Sequence, residues 1–309
     1  MLNVSRPAGK PASLEDPQPD RSGSIRGLSL TGFHELAYVE WGPSEAEIPI
    51  LCIHGLSRQG RDFDYLASHL AAAGRRVVCP DLVGRGRSGR LRDANEYALP
   101  QYCADMNAIV ARLGAGQLDL VGTSLGGLIG MVLAGLPGSP IRRLVVNDIG
   151  PYLPWAGLMR IGSYLSSMPA DFGSLEEAEA YMREVLAPFG KLPDEKWAHL
   201  ARHSVAWEPE RGRYLTLFDP QILRAFRNPW HYSIDLWKYW IAIKVPILVL
   251  RGKESDLLTA DLAREMERRS RFALIHQIEG CGHAPPLMSA DQIKLVSDFL
   301  SSPRGATEK

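Results

Sequence analysis

A chain of 309 residues is long for one domain and short for two, and it can bury a sizeable core without disulfides or metals. Apolar residues at 45% and charged residues at 23% exclude a disordered or fibrous chain. Lys+Arg and Asp+Glu number 35 each, so there is no global field to collect nucleic acid or an anionic membrane, and neither is expected as a partner.

Residues 1–24 are polar, carry Pro7, Pro11, Pro17 and Pro19, and lack a secretory pattern; they read as an N-terminal tail. Strands are then predicted at Leu36–Trp41, Ile48–Ile53, Arg76–Cys79, Leu118–Val121, Leu144–Asn147, Ile247–Leu250 and Ala273–Ile278. Several are near-continuous Val/Ile/Leu runs, as in parallel strands covered on both faces. Between them, Tyr102–Leu113 places its apolar residues on one helical face, with Gly114 as C-cap. The uncharged run Leu120–Ile141 is long enough to span a bilayer, yet its six glycines, Pro137 and Pro140 fit a buried strand-turn-helix instead. Ser289 with Gln292 reads as a capping box opening the last helix. Cys52, Cys79, Cys103 and Cys281 are scattered without a C-x-x-C pair, which points to free thiols, no metal centre and a cytoplasmic setting.

Strand-helix alternation predicts an α/β fold, a doubly wound sheet. The alternation stops after Asn147. Residues 151–240 read as a helical cap inserted before the penultimate strand, leaving 25–150 and 241–303 as the core and 304–309 as a C-terminal tail. The stretch from Gly150 to Trp240 holds sixteen of the twenty-five aromatics and six of the seven tryptophans. Trp155, Trp207, Trp230 and Trp237 there suggest an apolar or aromatic substrate group, although tryptophans at such spacing also build cores.

Gly122-Thr123-Ser124-Leu125-Gly126 follows a strand and opens a helix. In that setting G-x-S-x-G is a tight turn that projects the serine hydroxyl above the sheet. A serine hydroxyl needs a base. His283, in the stiff loop Gly280–Pro286 after the last strand, stands where a base would, whereas His54 serves loop geometry. The acid belongs at another strand end, and two carboxylates qualify. Asp256, in Gly252–Asp256, is preferred; Asp148, in Asn147-Asp148-Ile149-Gly150, is the alternative, with an otherwise structural role in anchoring the cap. The backbone N–H groups of Leu56 and Leu125 are the expected oxyanion donors.

Gly84, Gly86 and Gly89 imitate a dinucleotide fingerprint, but Arg90–Pro100 has no helical period and Asp105 falls inside a helix, so no nucleotide cofactor is expected. Arg85, Arg87, Arg90 and Arg92 read as a solvated basic loop. Taken together, His54-Gly55, Asp81–Ser88, Gly122–Gly126, Asn147–Pro151, Gly252–Asp256 and Gly282-His283 make the chain, from about Gly27 to Ser301, resemble the α/β-hydrolase superfamily, and within it the bacterial capped serine esterases and lactonases. The resemblance implies a mostly parallel eight-stranded sheet with helices on both faces, a Ser124–His283–Asp256 triad, a buried pocket under the cap, and hydrolysis of a small-molecule carboxylic ester or lactone without a cofactor. A C–C bond hydrolase or acyltransferase using the same triad is the alternative, and a non-catalytic receptor is the rival from another class. Serine at the elbow excludes haloalkane dehalogenases and epoxide hydrolases, which carry aspartate there.

Overall fold

The computed structural model describes residues 16–226 and 233–302. The first half of the core runs Arg21–Ser29 (β1), Gly32–Trp41 (β2), Ile50–Ile53 (β3), Asp64–Ala72 (α1), Val77–Pro80 (β4), Leu99–Leu113 (α2), Leu118–Thr123 (β5), Leu125–Gly135 (α3) and Ile141–Asn147 (β6). An insertion follows: Tyr152–Leu153 (β7), Trp155–Ser166 (α4), Asp171–Phe172 (β8), Leu175–Val185 (α5), Asp194–Ser204 (α6), Val205–Glu208 (β9), Arg213–Thr216 (β10) and Ile234–Asp235 (β11). Trp237–Ala242 (α7) leads back to Ile247–Gly252 (β12), Ala260–Arg269 (α8), Ala273–Ile278 (β13) and Ala290–Ser301 (α9).

The main sheet has eight strands in the order β1-β2-β4-β3-β5-β6-β12-β13. The pairs β1–β2 and β2–β4 are antiparallel, and the rest of the sheet is parallel. Alternate residues of the central strands feed two apolar layers, as the two-residue period of a strand requires. Leu51, Ile53, Leu120, Leu144, Val146 and Val249 pack with Met106 of α2, Ile129 of α3 and Met266 of α8. Ile50, Cys52, Val121, Val145 and Leu248 pack with Leu66 and Leu70 of α1 and Val296 and Phe299 of α9.

The strand absent from the sequence reading is β1. Only Gly27 and Ser29 are buried in it, so it has no apolar alternation, and it holds its place by pairing along the whole of β2. Arg21–Ser24, expected within the tail, therefore belong to the sheet; 1–15 and 304–309 lie outside the described residues. The uncharged run Leu120–Ile141 is indeed strand, turn and helix, and no helix among the described residues is long and apolar enough to cross a membrane. Gly114 ends α2 at φ 65°. Ser289 caps α9, but Gln292 Oε1 accepts from the Leu287 N–H at 2.8 Å, so the side chain braces the preceding loop. All four cysteines are free thiols, with Cys103 half-buried.

The insertion is less purely helical than expected, because β8, β10 and β9 form a small antiparallel sheet and β7 pairs with β11. In α5, Ser174 caps the Glu177 N–H, and Met182 and Leu186 meet Trp197 and Leu200 of α6. Near the start of the central strand β5, Asp119 is fully buried and accepts from Arg75 at 2.7 Å and from Arg142 at 2.6 and 2.9 Å. Both arginines, with Arg143, also reach the Leu300 carbonyl at the end of α9. Asp119→Ala should cost about 3 kcal/mol, because it leaves two half-buried guanidinium groups without their carboxylate. Urea unfolding should show the midpoint falling at unchanged slope.

Candidate active site

Parallel register brings the strand ends to one edge. Ile53 pairs with Gly122, Thr123 with Asn147, and Asn147 with Leu250. The residues that follow, His54, Ser124, Asp148 and the loop after Gly252, therefore emerge side by side.

Ser124 occupies a left-handed conformation, φ 52° and ψ −113°, between β5 and α3. The turn closes because its flanking residues lack side chains. A Cβ on Gly122 would lie 2.3 Å from the Gly126 carbonyl oxygen, and one on Gly126 would lie 2.0 Å from that of Ile53. The Ser124 N–H donates to the Asn147 carbonyl at 2.9 Å, tying the elbow to β6. The buried Asn147 side chain donates to Thr123 Oγ1 at 3.1 Å and to the Pro285 carbonyl at 2.7 Å, so it couples the elbow to the loop that carries His283.

His283 lies between the serine and a carboxylate. Its Nδ1 is 2.7 Å from Asp148 Oδ2 and its Nε2 is 2.9 Å from Ser124 Oγ. An ionised carboxylate only accepts, so Nδ1 bears the proton and Nε2 is left to receive the serine O–H. Asp148 is fully buried, with φ 58°. Its Oδ1 accepts the Gly252 N–H at 2.7 Å, and its Oδ2 also accepts from Ser255 Oγ at 2.6 Å.

The preferred acid, Asp256, is thus corrected to its alternative. In the loop after β12 the residue directed inward is Ser255, which donates to Asp148, while its neighbour Asp256 is exposed at the edge of the cavity. Consecutive residues of the turn face opposite ways. The signal available in the sequence was the strand-end position of Asp148, directly after β6.

His54 supports the neighbouring loop. It accepts the Leu82 N–H at Nε2 (2.9 Å), which leaves Nδ1 to donate to the Gly55 carbonyl (2.7 Å). Burial pushes its pKa down to about 3, so the ring stays neutral. Gly55 comes close to Ser124: a Cβ there would sit 3.6 Å from the serine Cβ. Leu56 and Leu125 both line the cavity beside Ser124, and among the described residues neither backbone N–H donates to a protein acceptor.

Arg85 departs from the solvated basic loop. It is buried, donates to the Leu56 carbonyl at 2.8 Å, the Val83 carbonyl at 2.7 Å and Tyr102 Oη at 2.8 Å, and lies over the Tyr102 ring. Arg87, Arg90 and Arg92 are exposed. The glycines that imitate a nucleotide loop serve packing. A Cβ on Gly86 would lie 2.2 Å from Asp81, whose carboxylate accepts the Gly60 and Arg87 N–H groups at 2.7 and 2.8 Å. Asp105 lies within α2 and pairs with His34 at 2.9 Å. Among the described residues, Asp16, His199 and His203 are the side chains grouped closely enough to hold a metal ion; Asp16 already accepts from Arg202, and His199 Nε2 already donates to the Arg61 carbonyl.

Ser124 and His283 open on a cavity of about 390 Å³ between the core and the insertion. Leu153, Leu158, Ile161 and Leu165 line it from the first part of the insertion, Val185, Leu186 and Leu200 from its second part, and Leu128 of α3 with Ile149 and Leu257 of the strand-end loops from the core. The tryptophan lining expected is absent among the described residues: Phe63 and Phe189 contribute rings, and the rest of the apolar lining is aliphatic. Trp207 is exposed, Trp237 packs under Arg269, and Trp230 lies outside the described residues.

Residues 48–175 match the alpha/beta hydrolase fold family. A 3-hydroxybutyrate-oligomer hydrolase from Cupriavidus necator is 41% identical over 290 residues, covering 91% of this chain and 98% of that one. A 2-hydroxymuconate semialdehyde hydrolase from Pseudomonas putida is 26% identical over 234 residues, 74% of this chain and 77% of that one. The crystal structure of a Rickettsia typhi protein superposes with a TM-score of 0.83 at 30% identity, over 91% of this chain and 98% of that one. The strand order, the serine elbow and these similarities converge, and the chain belongs to the α/β-hydrolase superfamily and is a hydrolase.

Proposed function

We propose that the protein hydrolyses carboxylic esters of short aliphatic acids through an acyl-enzyme on Ser124. The observation that carries this reading is the hydrogen-bonded series from Ser124 through His283 to the buried Asp148, opening on an aliphatic cavity. Nε2 of His283 takes the hydroxyl proton as Oγ attacks the acyl carbon, and the carbonyl electron pair moves onto oxygen. The Leu56 and Leu125 N–H groups receive that oxyanion, each contributing about 3 kcal/mol to the transition state. The imidazolium then gives its proton to the leaving alcohol as the C–O bond breaks. Water, deprotonated by the same ring, attacks the acyl-enzyme and releases the acid. Asp148 holds the Nδ1–H tautomer throughout and stabilises the imidazolium.

The lining narrows the substrate. Leucine, isoleucine and valine side chains suit an alkyl chain, and the similarity to a 3-hydroxybutyrate-oligomer hydrolase makes short hydroxyacid oligoesters the first substrates to try. The similarity to the 2-hydroxymuconate semialdehyde hydrolase favours C–C bond hydrolysis as the second reading, at lower identity. A panel of p-nitrophenyl esters, hydroxybutyrate dimers and a ring-cleavage dienoate separates the two by which bond breaks. No turnover of either class, together with no labelling, would point to a receptor.

A fluorophosphonate should label Ser124, identified by peptide mapping, and Ser124→Ala should lose both label and ester turnover while its thermal unfolding stays close to that of the wild type. Ester hydrolysis retained in that variant overturns the assignment. Asp148→Asn should lower kcat by about 10⁴-fold, since the ring would lose its tautomer. Asp256→Asn should change kcat by less than about tenfold, and steady-state kinetics on one p-nitrophenyl ester compares the two directly.

A further inference from the structure

Among the described residues, the cavity has in its lining a charged pair that hydrolysis itself does not use. Arg58 and Asp62 both line it, two and six residues beyond Leu56, where the loop runs into the short helical turn Gly60–Phe63. The guanidinium donates Nε to Asp62 Oδ2 at 2.8 Å and Nη2 to Oδ1 at 2.7 Å. Its Nη1 donates to Ser204 Oγ at 3.0 Å and faces Met182 Sδ at 3.4 Å, so the pair is seated against α5 and α6. Only 9% of the arginine side chain and 14% of the aspartate side chain remain exposed. Such a pair gives weak net stability for its desolvation, and an apolar wall would close the cavity as well.

We propose that the Arg58–Asp62 pair is the receptor for a hydroxyl group on the substrate's aliphatic chain, so that the enzyme selects hydroxyacyl esters over plain alkanoyl esters. This rests on the ester-hydrolase reading above and adds the group that discriminates between esters. The chemistry follows from which hydrogen bonds are already made. Asp62 is bound through both oxygens by one guanidinium, and Gln59 Nε2 reaches Oδ1 at 3.4 Å. A carboxylate still has lone pairs left after those contacts and accepts only, so it asks for a donor. A hydroxyl donates to it; an alkyl, ester or carboxylate group does not. The pair is neutral overall, and the fork of Arg58 that would grip a carboxylate is occupied by Asp62, so an anionic chain end meets repulsion without a bidentate partner.

The test compares p-nitrophenyl 3-hydroxybutyrate, in each enantiomer, with p-nitrophenyl butyrate and the p-nitrophenyl monoester of succinate. Rates are normalised to alkaline hydrolysis to remove intrinsic reactivity. The wild type should favour one 3-hydroxybutyrate enantiomer over butyrate by on the order of tenfold to a hundredfold in kcat/KM. Asp62→Asn should bring that ratio close to one. Equal rates for hydroxylated and plain esters in the wild type overturn the proposal and leave ester hydrolysis standing. So does a preference that survives Asp62→Asn, which would place the receptor elsewhere, or a preference for the succinate monoester, which would make the site a carboxylate anchor. If Asp62→Asn does not fold, inhibition of the wild type by free 3-hydroxybutyrate and butyrate supplies the second reading. Equal inhibition constants overturn the proposal. Hydrolysis of none of the esters removes the ester reading, and the receptor falls with it.

Discussion

The structure is organised around a carboxylate that no water reaches. An ionised group placed in the interior loses several kcal/mol of hydration unless donors replace the water. Asp148 is supplied from three directions: the Gly252 N–H at the end of β12, the Ser255 hydroxyl just beyond it, and the His283 ring from the loop after β13. These contacts make the end of one strand dependent on the two strands beside it. They also assign the work of the loop after β12. Ser255 accepts the Leu258 N–H at 3.1 Å while donating to Asp148, so the loop is folded as a donor to the acid.

The serine depends on backbone strain. Among the described non-glycine residues, positive φ occurs at Ser124, Asp148 and Leu287. Each such residue costs on the order of 1–3 kcal/mol, which persists only where the surroundings over-determine it. Here they do, through the Ser124 N–H to Asn147 and the Asp148 N–H to Leu250, both at strand ends fixed by the sheet. Asn147 precedes Asp148 in sequence, accepts the Ser124 N–H, and joins the elbow to the His283 loop through its side chain. The central strands are rigid because both faces are covered, and that rigidity holds hydroxyl, imidazole and carboxylate in line.

Most of this frame was legible in the sequence because it rests on local patterns. Continuous apolar runs marked the buried parallel strands, and the glycines around Ser124 marked a turn where only hydrogen fits. His283 was legible from a stiff loop after the last strand. What escaped rested on pairing across the chain. β1 has no apolar alternation of its own and is strand because β2 lies beside it. Choosing between Asp148 and Asp256 required knowing which way the turn after β12 faces, and two adjacent polar residues, Ser255 and Asp256, leave that open until the turn is built. Arg85 looked solvated because three arginines near it are; its burial depends on Tyr97, Tyr102 and Phe218 closing around it.

The arginines show how charge can shape a site without taking part in bond breaking. Arg85 holds the Leu56 carbonyl, and so fixes the peptide whose neighbour faces the serine. Two residues beyond Leu56, Arg58 is locked onto Asp62 and onto the insertion through Ser204. Both guanidinium groups pin one loop between the core and the inserted segment, and that loop contributes a backbone donor at one end and a polar pair at the other. Rate and selectivity are then separable. On the proposed mechanism, the energy that stabilises an oxyanion would come from backbone groups set by the sheet and would be common to any ester that reaches Ser124. On the proposed reading, discrimination between esters would come from the Arg58–Asp62 pair, which asks for a hydrogen-bond donor on the chain. A change at Asp62 would then alter what the cavity accepts without moving the strand ends that carry Ser124 and Asp148.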